Sequence, residues 1–265
     1  MHGHLYIILK ESIKYIPIIG QGMMFYGFIF LSRKWEKDKE RLQYRLRKLS
    51  GTHKGPLSGK ESLDPMWLLI FPEGTNLSDN GRAGSKRWAE KNDIPDLRHA
   101  MLPRSTGLLY CISELQKNTD WVYDCTVAYE GVPPGEYGQD IFTLRSTYFE
   151  GRPPKSVHMH WRRFATKDIP TGDKEFGDWL LKRWREKDDM LEYFQQHNCL
   201  PADDGISDQF EGTRPLKGAG RIETYVRPNN PLEFLFVLAP IAAAGLVVNV
   251  IVKFWIMILR ILRIK

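Results

Sequence analysis

The hydrophobic and polar positions divide the chain into segments of different period. Residues 34–49, KWEKDKERLQYRLRKL, place Leu42, Leu46 and Leu49 at spacings of four and three, which predicts a basic amphipathic helix with one buried stripe. Residues 51–65 are rich in Gly, Pro and Ser and read as a loop. Met66–Phe71, MWLLIF, is an unbroken apolar run of strand length. It predicts a strand buried on both faces that runs straight into a turn at 72–76. A short helix is expected over 83–91, a loop over 102–107 and a further helix from Leu108 to Lys117. Strands are expected over 121–129 and 141–149. Residues 156–164 alternate Val157, Met159 and Trp161 with His158, His160 and Arg162. That pattern predicts a half-buried strand with its polar set on the wet face. Asp173–His197 reads as a long helix with Trp179, Leu180, Trp184, Leu191 and Phe194 on its apolar side.

The two ends follow other patterns. The segment HLYIILKESIKYIPIIGQGMMFYGFIFL is not a signal peptide, because it lacks a basic start and Lys10, Glu11 and Lys14 interrupt the apolar run. It reads as a hydrophobic helical segment broken at Pro17 and Gly20, packed in a core or lying in a membrane interface. From Phe234 to Val252 the only strongly polar residue is Asn249. Such a run forms roughly 28 Å of helix, close to a bilayer's hydrocarbon thickness. Lys253 and Trp255 suit its interface. Basic residues flank this stretch on both sides, so they do not choose an orientation.

Strands alternating with helices predict an α/β fold, with a mixed, mainly parallel sheet flanked by helices and one C-terminal transmembrane helix. The expected organisation is a hydrophobic, membrane-associated segment over 1–33 that opens a domain continuing over 34–200. A linker over 201–231 and a span over 232–259 follow.

Composition narrows the classes. The chain has 265 residues, a net charge of +6 and 42% hydrophobic residues, which excludes a disordered chain. Cys111, Cys125 and Cys199 are too few for a disulfide framework, and no CxxC pair exists for a zinc ribbon. The modest basic excess suits an anionic membrane surface or a phosphorylated substrate as well as it suits nucleic acid, and no nucleic-acid partner is expected.

Three strings carry candidate chemistry. In Phe71-Pro72-Glu73-Gly74-Thr75-Asn76 a buried strand ends in a bend whose glycine frees the backbone. Its N–H groups, Thr75 and Asn76 suit an oxyanion or phosphate, although most such turns are only turns. In Gly27–Arg33, GFIFLSR, an arginine closes an apolar run, a good phosphate fork if it points into a cleft. Leu102-Pro103-Arg104 offers a second such arginine. His158 and His160 share one strand face without a third ligand, so no metal is expected.

In this order the strings resemble the PlsC-type glycerophosphate and lysophospholipid acyltransferases. KESIKYIPIIGQGMMFYGFIFLSRKWEKD resembles the segment with that family's second motif, and FPEGTN resembles its third. MLPRSTG resembles the following segment in the eukaryotic lysophosphatidate and lysocardiolipin acyltransferase branch, and the likeness covers roughly residues 5–200. The resemblance implies transfer of an acyl group from acyl-CoA, as co-substrate and without a cofactor, to a lysophospholipid hydroxyl. It implies that Arg33, Glu73, Gly74, Thr75, Asn76 and Arg104 bind or shape the acceptor site. It also implies a lipid bilayer as partner and the endoplasmic reticulum membrane as location.

One departure bears on catalysis. The family's base is a histidine in Asn-His-x-x-x-x-Asp, where the Asp orients the imidazole. None of the seven histidines here has an Asp five positions on. The motif is expected ahead of Lys10, so the catalytic residues are left unassigned. Ser32 and Asn76 are smaller departures, standing where many members have Asp and Arg. Two readings follow: a membrane acyltransferase represented by a truncated gene model, or a catalytically silent member that binds lipid or a partner.

Overall fold

The computed structural model describes residues 4–54, 61–201, 222–225, 230 and 239–263. The chain divides into two units, 1–201 and 202–265. The first unit opens with β1 (Leu5–Lys10), a 3-10 turn over Glu11–Tyr15, α1 (Ile19–Phe25) and β2 (Ile29–Leu31). It continues with α2 (Trp35–Leu49), β3 (Thr52–Lys54), β4 (Glu61–Leu63), β5 (Trp67–Leu69), α3 (Asp79–Lys91) and α4 (Ser105–Leu115). Then come β6 (Trp121–Tyr129), α5 (Gly138–Ile141), α6 (Leu144–Tyr148), β7 (Val157–Ala165) and α7 (Asp173–His197). The second unit contains α8 (Ala239–Arg263).

The fold is α/β, as expected, and its parallel and antiparallel strands lie in separate sheets. A three-stranded parallel sheet has the order β2-β1-β5, while β3-β4 and β6-β7 are antiparallel pairs. Register pairs Lys10 with Leu31 and Ile7 with Leu69. The C-terminal ends of β2 and β5 therefore open on the same edge, with β1 between them.

Two apolar clusters hold the unit together. In one, Leu42 and Leu46 of α2 pack with Ile29, Cys111 and Leu115, so the predicted stripe of α2 is the buried one. Burial pushes the Cys111 thiol up to about 12, which keeps it a neutral core side chain. In the other, Phe176, Leu180 and Trp184 of α7 pack with Ala89, Leu97, Leu102, Leu108 and Ile112. Acidic residues in the first turns of α2 and α7 and basic residues in the last turn of α2 complement the helix dipoles. Asn198 ends α7 in the left-handed conformation, a common stop for a helix.

Four expectations are corrected. The segment 5–30 is not mainly helical: Leu5–Lys10 and Ile29–Leu31 are strands of the parallel sheet, and only Ile19–Phe25 is α-helix. The run MWLLIF is not buried on both faces, because among the described residues β5 pairs with β1 alone and Trp67 and Leu69 are exposed. Residues 141–149 are not a strand. Thr143 caps α6 by accepting from the Ser146 N–H at 3.0 Å, and this local bond wins over strand propensity.

The fourth correction concerns β7, which is a strand with its faces reversed. Met159 and Trp161 are 56% and 54% exposed. His158 and Arg162 lie on the side facing α7, where His158 meets Phe194 edge-on at 5.1 Å and Arg162 pairs with Asp124 at 2.7 Å. Ion pairing with acids on β6 and α7 thus decides which face is covered.

In the second unit, α8 is a helix of 25 residues. The expected transmembrane helix over 232–259 is not supported: among the described residues no helix is long and apolar enough to cross a membrane. The described helix, Ala239–Arg263, carries Asn249 and Lys253 within its length. Phe234–Leu238 and nearly all of the expected linker lie outside the described residues.

Phe176 is fully buried at the centre of the larger cluster. Phe176→Ala is expected to lower the unfolding free energy by about 3–5 kcal/mol, measured by denaturant titration.

Candidate functional site

The candidate residues gather on the C-terminal edge of the parallel sheet. Past β5 the chain turns through Phe71–Gly74, where the Gly74 N–H donates to the Phe71 carbonyl at 2.9 Å. Gly74 has φ +73, a left-handed conformation that glycine adopts without strain. A Cβ at this position would lie 3.8 Å from both Cδ and Nε of Arg104. The Arg104 side chain therefore passes directly over the bend. Its own N–H donates to the Pro72 carbonyl at 2.8 Å, tying the Leu102–Arg104 loop to the turn. Arg104 also immediately precedes α4, whose first-turn N–H groups lack intrahelical acceptors. The site thus combines a guanidinium, a left-handed bend and a helix N-terminus, three features that favour an anion.

Arg33 stands on the same edge, two residues past β2, across β1 from the bend. Two strand spacings put these elements about 10 Å apart. Arg33 has φ +66, unusual for a non-glycine residue. Asp38 is the physical reason. Its carboxylate accepts from the Ser32 N–H and hydroxyl, both at 2.9 Å, and from the Lys34 N–H at 3.1 Å. Residues on both sides of Arg33 are held by one buried acid, and the side chain between them is exposed. Neither Arg33 nor Arg104 has an ion-pair partner among the described residues.

A second buried acid, Asp188, does the same for the loop before Arg104. It accepts from the N–H groups of Arg98, His99 and Ala100 at 2.8, 2.7 and 2.9 Å. Arg82 braces the loop from α3, donating to the carbonyls of Ala100 and Leu97 at 2.6 and 2.5 Å. Ser85 accepts from the Leu102 N–H at 3.0 Å.

Glu73 points inward rather than toward the exposed edge. Its carboxylate accepts from the Trp184 indole N–H at 3.0 Å. Burial raises its pKa above the ordinary 4.5, opposed by the Trp184 and Met101 hydrogen bonds and by the charges of Lys187 and Arg82. Glu73 therefore anchors the bend to α7. Thr75 donates to the Asn76 side chain at 3.2 Å, and Ser78 caps α3 by accepting from the Gly81 N–H. Among the described residues no group of His, Cys, Asp or Glu could hold a metal ion.

Gly74, Glu73 and Arg104 are thus brought into one bend, with Arg33 on the same edge. Sequence reasoning missed the two clamping acids, although both leave a signal. Asp38 precedes Leu42 and Leu46 at helical spacing, and Asp188 follows Trp184 by four. An acid in an apolar stripe calls for a partner.

An acyltransferase family model matches residues 1–130, and an acyltransferase C-terminus model matches 147–236. This chain belongs to the PlsC-type acyltransferase family. It is 37% identical over 234 residues to an uncharacterized acyltransferase of Schizosaccharomyces pombe, covering 88% of this chain and 59% of the relative. It is 38% identical over 240 residues to 2-acyl-1-lysophosphatidylinositol acyltransferase of Saccharomyces cerevisiae, covering 80% and 60%. With lysocardiolipin acyltransferase 1 of Gallus gallus the identity is 35% over 192 residues, covering 72% and 46%. The chain therefore spans about half to three fifths of the length of these relatives. No solved structure matches it.

Two outcomes test this PlsC-type geometry. Asp188→Ala strands three backbone donors and is expected to cost about 3 kcal/mol or more in denaturant unfolding, with Asp188→Asn losing less. For Glu73 the folded-state pKa lies above the unfolded value. Its favourable contribution is therefore present below pH 4.5 and lost as pH rises through the folded value. Glu73→Gln is expected to raise the melting temperature at neutral pH, and the gain should shrink toward zero in acid.

Proposed function

We propose that this chain carries the acceptor-binding part of a lysophospholipid acyltransferase, which moves a fatty acyl group from acyl-CoA to a free hydroxyl of a lysophospholipid at a membrane. The observation that carries the reading is the Arg104 side chain laid over the Gly74 bend, with Arg33 held on the same sheet edge. The names of the relatives, which act on lysophosphatidylinositol or lysocardiolipin, support the acceptor class. Both guanidiniums suit the acceptor phosphate, since a fork to phosphate is charge-assisted and bidentate. Thr75 and Asn76 line the bend, while Glu73 shapes it from behind. A membrane location, the endoplasmic reticulum by family resemblance, belongs to the same reading.

In the reaction the acceptor oxygen attacks the thioester carbon, a C–O bond forms, the C–S bond breaks and CoA leaves. A general base takes the hydroxyl proton. The His and Asp pair that does this in the family is not found among these histidines. That observation supports the second reading, a lipid-binding member without turnover. Upstream coding sequence separates the two: an in-frame Asn-His-x-x-x-x-Asp favours the enzyme, and a stop codon favours the silent form.

Radiolabelled acyl-CoA with lysophosphatidylinositol, lysocardiolipin or lysophosphatidate should yield diacylated product with an N-terminally extended clone. No transfer to any of them overturns the reading. The 265-residue chain is expected to be slower by about 10²–10⁴, the contribution of a general base. Arg33→Ala should weaken lysophosphatidate binding about tenfold, from loss of a charge-assisted contact. Monoacylglycerol binding, followed by calorimetry, should be unchanged.

A further inference from the structure

One side chain far along the chain reaches the bend from behind. Trp184 lies on α7 and is 7% exposed, with its ring in the larger apolar cluster. Its indole N–H donates to Glu73 Oε1 at 3.0 Å, across 111 residues of sequence. A buried indole N–H needs an acceptor and a buried carboxylate needs donors, so each satisfies the other.

The bend depends on this contact more than on its backbone bonds. The Gly74 and Arg104 N–H groups end on the carbonyls of Phe71 and Pro72, both of which precede Glu73. Past that point Thr75 bonds Asn76, and the Ser78 hydroxyl donates to the Asn76 carbonyl at 3.4 Å, so these bonds stay within the turn. Among the described residues, the Glu73 side chain is therefore the hydrogen-bonded tie between this half of the bend and the core.

Trp184 is itself held in one orientation. The Lys187 ammonium, one turn on, stands 4.8 Å from the centre of its ring. Lys187 is fixed in turn: it donates to the Cys125 carbonyl at 2.8 Å and pairs with Asp124, whose other oxygen meets Arg162 at 2.7 Å. The next residue, Asp188, is the acid that clamps Arg98–Ala100. Positions 184, 187 and 188 share one helix face. That face thus reaches both halves of the site, the bend through Glu73 and the segment before Arg104 through Asp188. Glu73, Gly74 and Arg104 lie in residues 1–130 and this face in residues 147–236, the two stretches that the family models match separately.

We propose that Trp184 is a positioning residue of the acceptor site: its indole N–H holds the Glu73 carboxylate and, through it, the Gly74 bend beneath the Arg104 side chain. Trp184 acts from behind the bend rather than on the acceptor. On the reading that this bend receives a lysophospholipid phosphate, Trp184 sets how well the phosphate fits, and a neutral acceptor is indifferent to it. A shift of the bend by about 1 Å is enough to spoil such a fit.

Calorimetry on the full chain measures binding of short-chain lysophosphatidate and of monoacylglycerol. Trp184→Phe is expected to weaken lysophosphatidate binding about tenfold, from loss of a hydrogen bond to a charged acceptor, and to leave monoacylglycerol unchanged. Benzothienylalanine at position 184 keeps the bicyclic ring, replaces the N–H by sulfur and should give the same loss without opening a cavity. In a Glu73→Ala background either replacement should change lysophosphatidate binding less than about twofold, because the tie is already gone. Unaltered binding with benzothienylalanine, equal loss for the two ligands, or the same loss with and without the Glu73 side chain would overturn the proposal. Unmutated protein that binds lysophosphatidate no more tightly than monoacylglycerol overturns the acceptor reading and this role together. Selective binding that is indifferent to position 184 overturns this role alone.

Discussion

Two buried carboxylates collecting backbone N–H groups are the constraint on which the candidate site depends. Asp38 is 6% exposed and Asp188 is 8% exposed, and each accepts from the chain around a loop that has no regular structure of its own. A loop at a sheet edge has peptide groups that no ladder satisfies. An acid from a neighbouring helix satisfies several at once, and a charged acceptor makes each bond stronger than a neutral one. The acid is in turn tolerable in the interior because those donors replace its water. The result is that Arg33 and the segment leading to Arg104 are fixed by helices α2 and α7, which are themselves fixed by the two apolar clusters. Packing energy is thereby converted into the placement of exposed guanidiniums.

How much of this was legible depends on how local the deciding interaction is. The helices at Trp35–Leu49 and Asp173–His197 were readable because an amphipathic stripe is written in the sequence at a fixed period. The bend at Pro72–Asn76 was readable from turn chemistry, and the place of Arg33 from the apolar run before it. The faces of β7 were not. Period two shows that faces differ but not which is covered, and here Arg162 meets acids on β6 and α7 that lie 38 and 24 residues away. Residues 141–149 misled for the opposite reason, a single threonine cap outweighing a run of modest strand formers.

The segment 5–30 shows the limit most clearly. Its apolar residues serve two ends, and composition alone cannot separate them. Ile29 and Phe30 are buried on β2, while Ile18, Ile19 and Phe25 face solvent a few residues earlier. A parallel pair cannot be closed by a hairpin, so the chain must cross over between β1 and β2, and the crossover carries the exposed set. What read as one interrupted helix is a strand, a turn, a short helix and a strand, with the breaks at Pro17 and Gly20 marking the crossover rather than a kink.

That crossover and the candidate site share a single support. Near the N-terminus of α2, Asp38 holds the loop that carries Arg33. One turn on, Arg41 reaches Glu11, and at the C-terminal end Arg45 grips Gly27. A helix of 15 residues is about 22 Å long, enough to run from one edge of the short parallel sheet to the other. Leu42 and Leu46, both essentially unexposed, lock it against β2 and α4, so its two ends cannot move independently. A displacement of the crossover is therefore carried through α2 to the loop whose backbone holds Arg33.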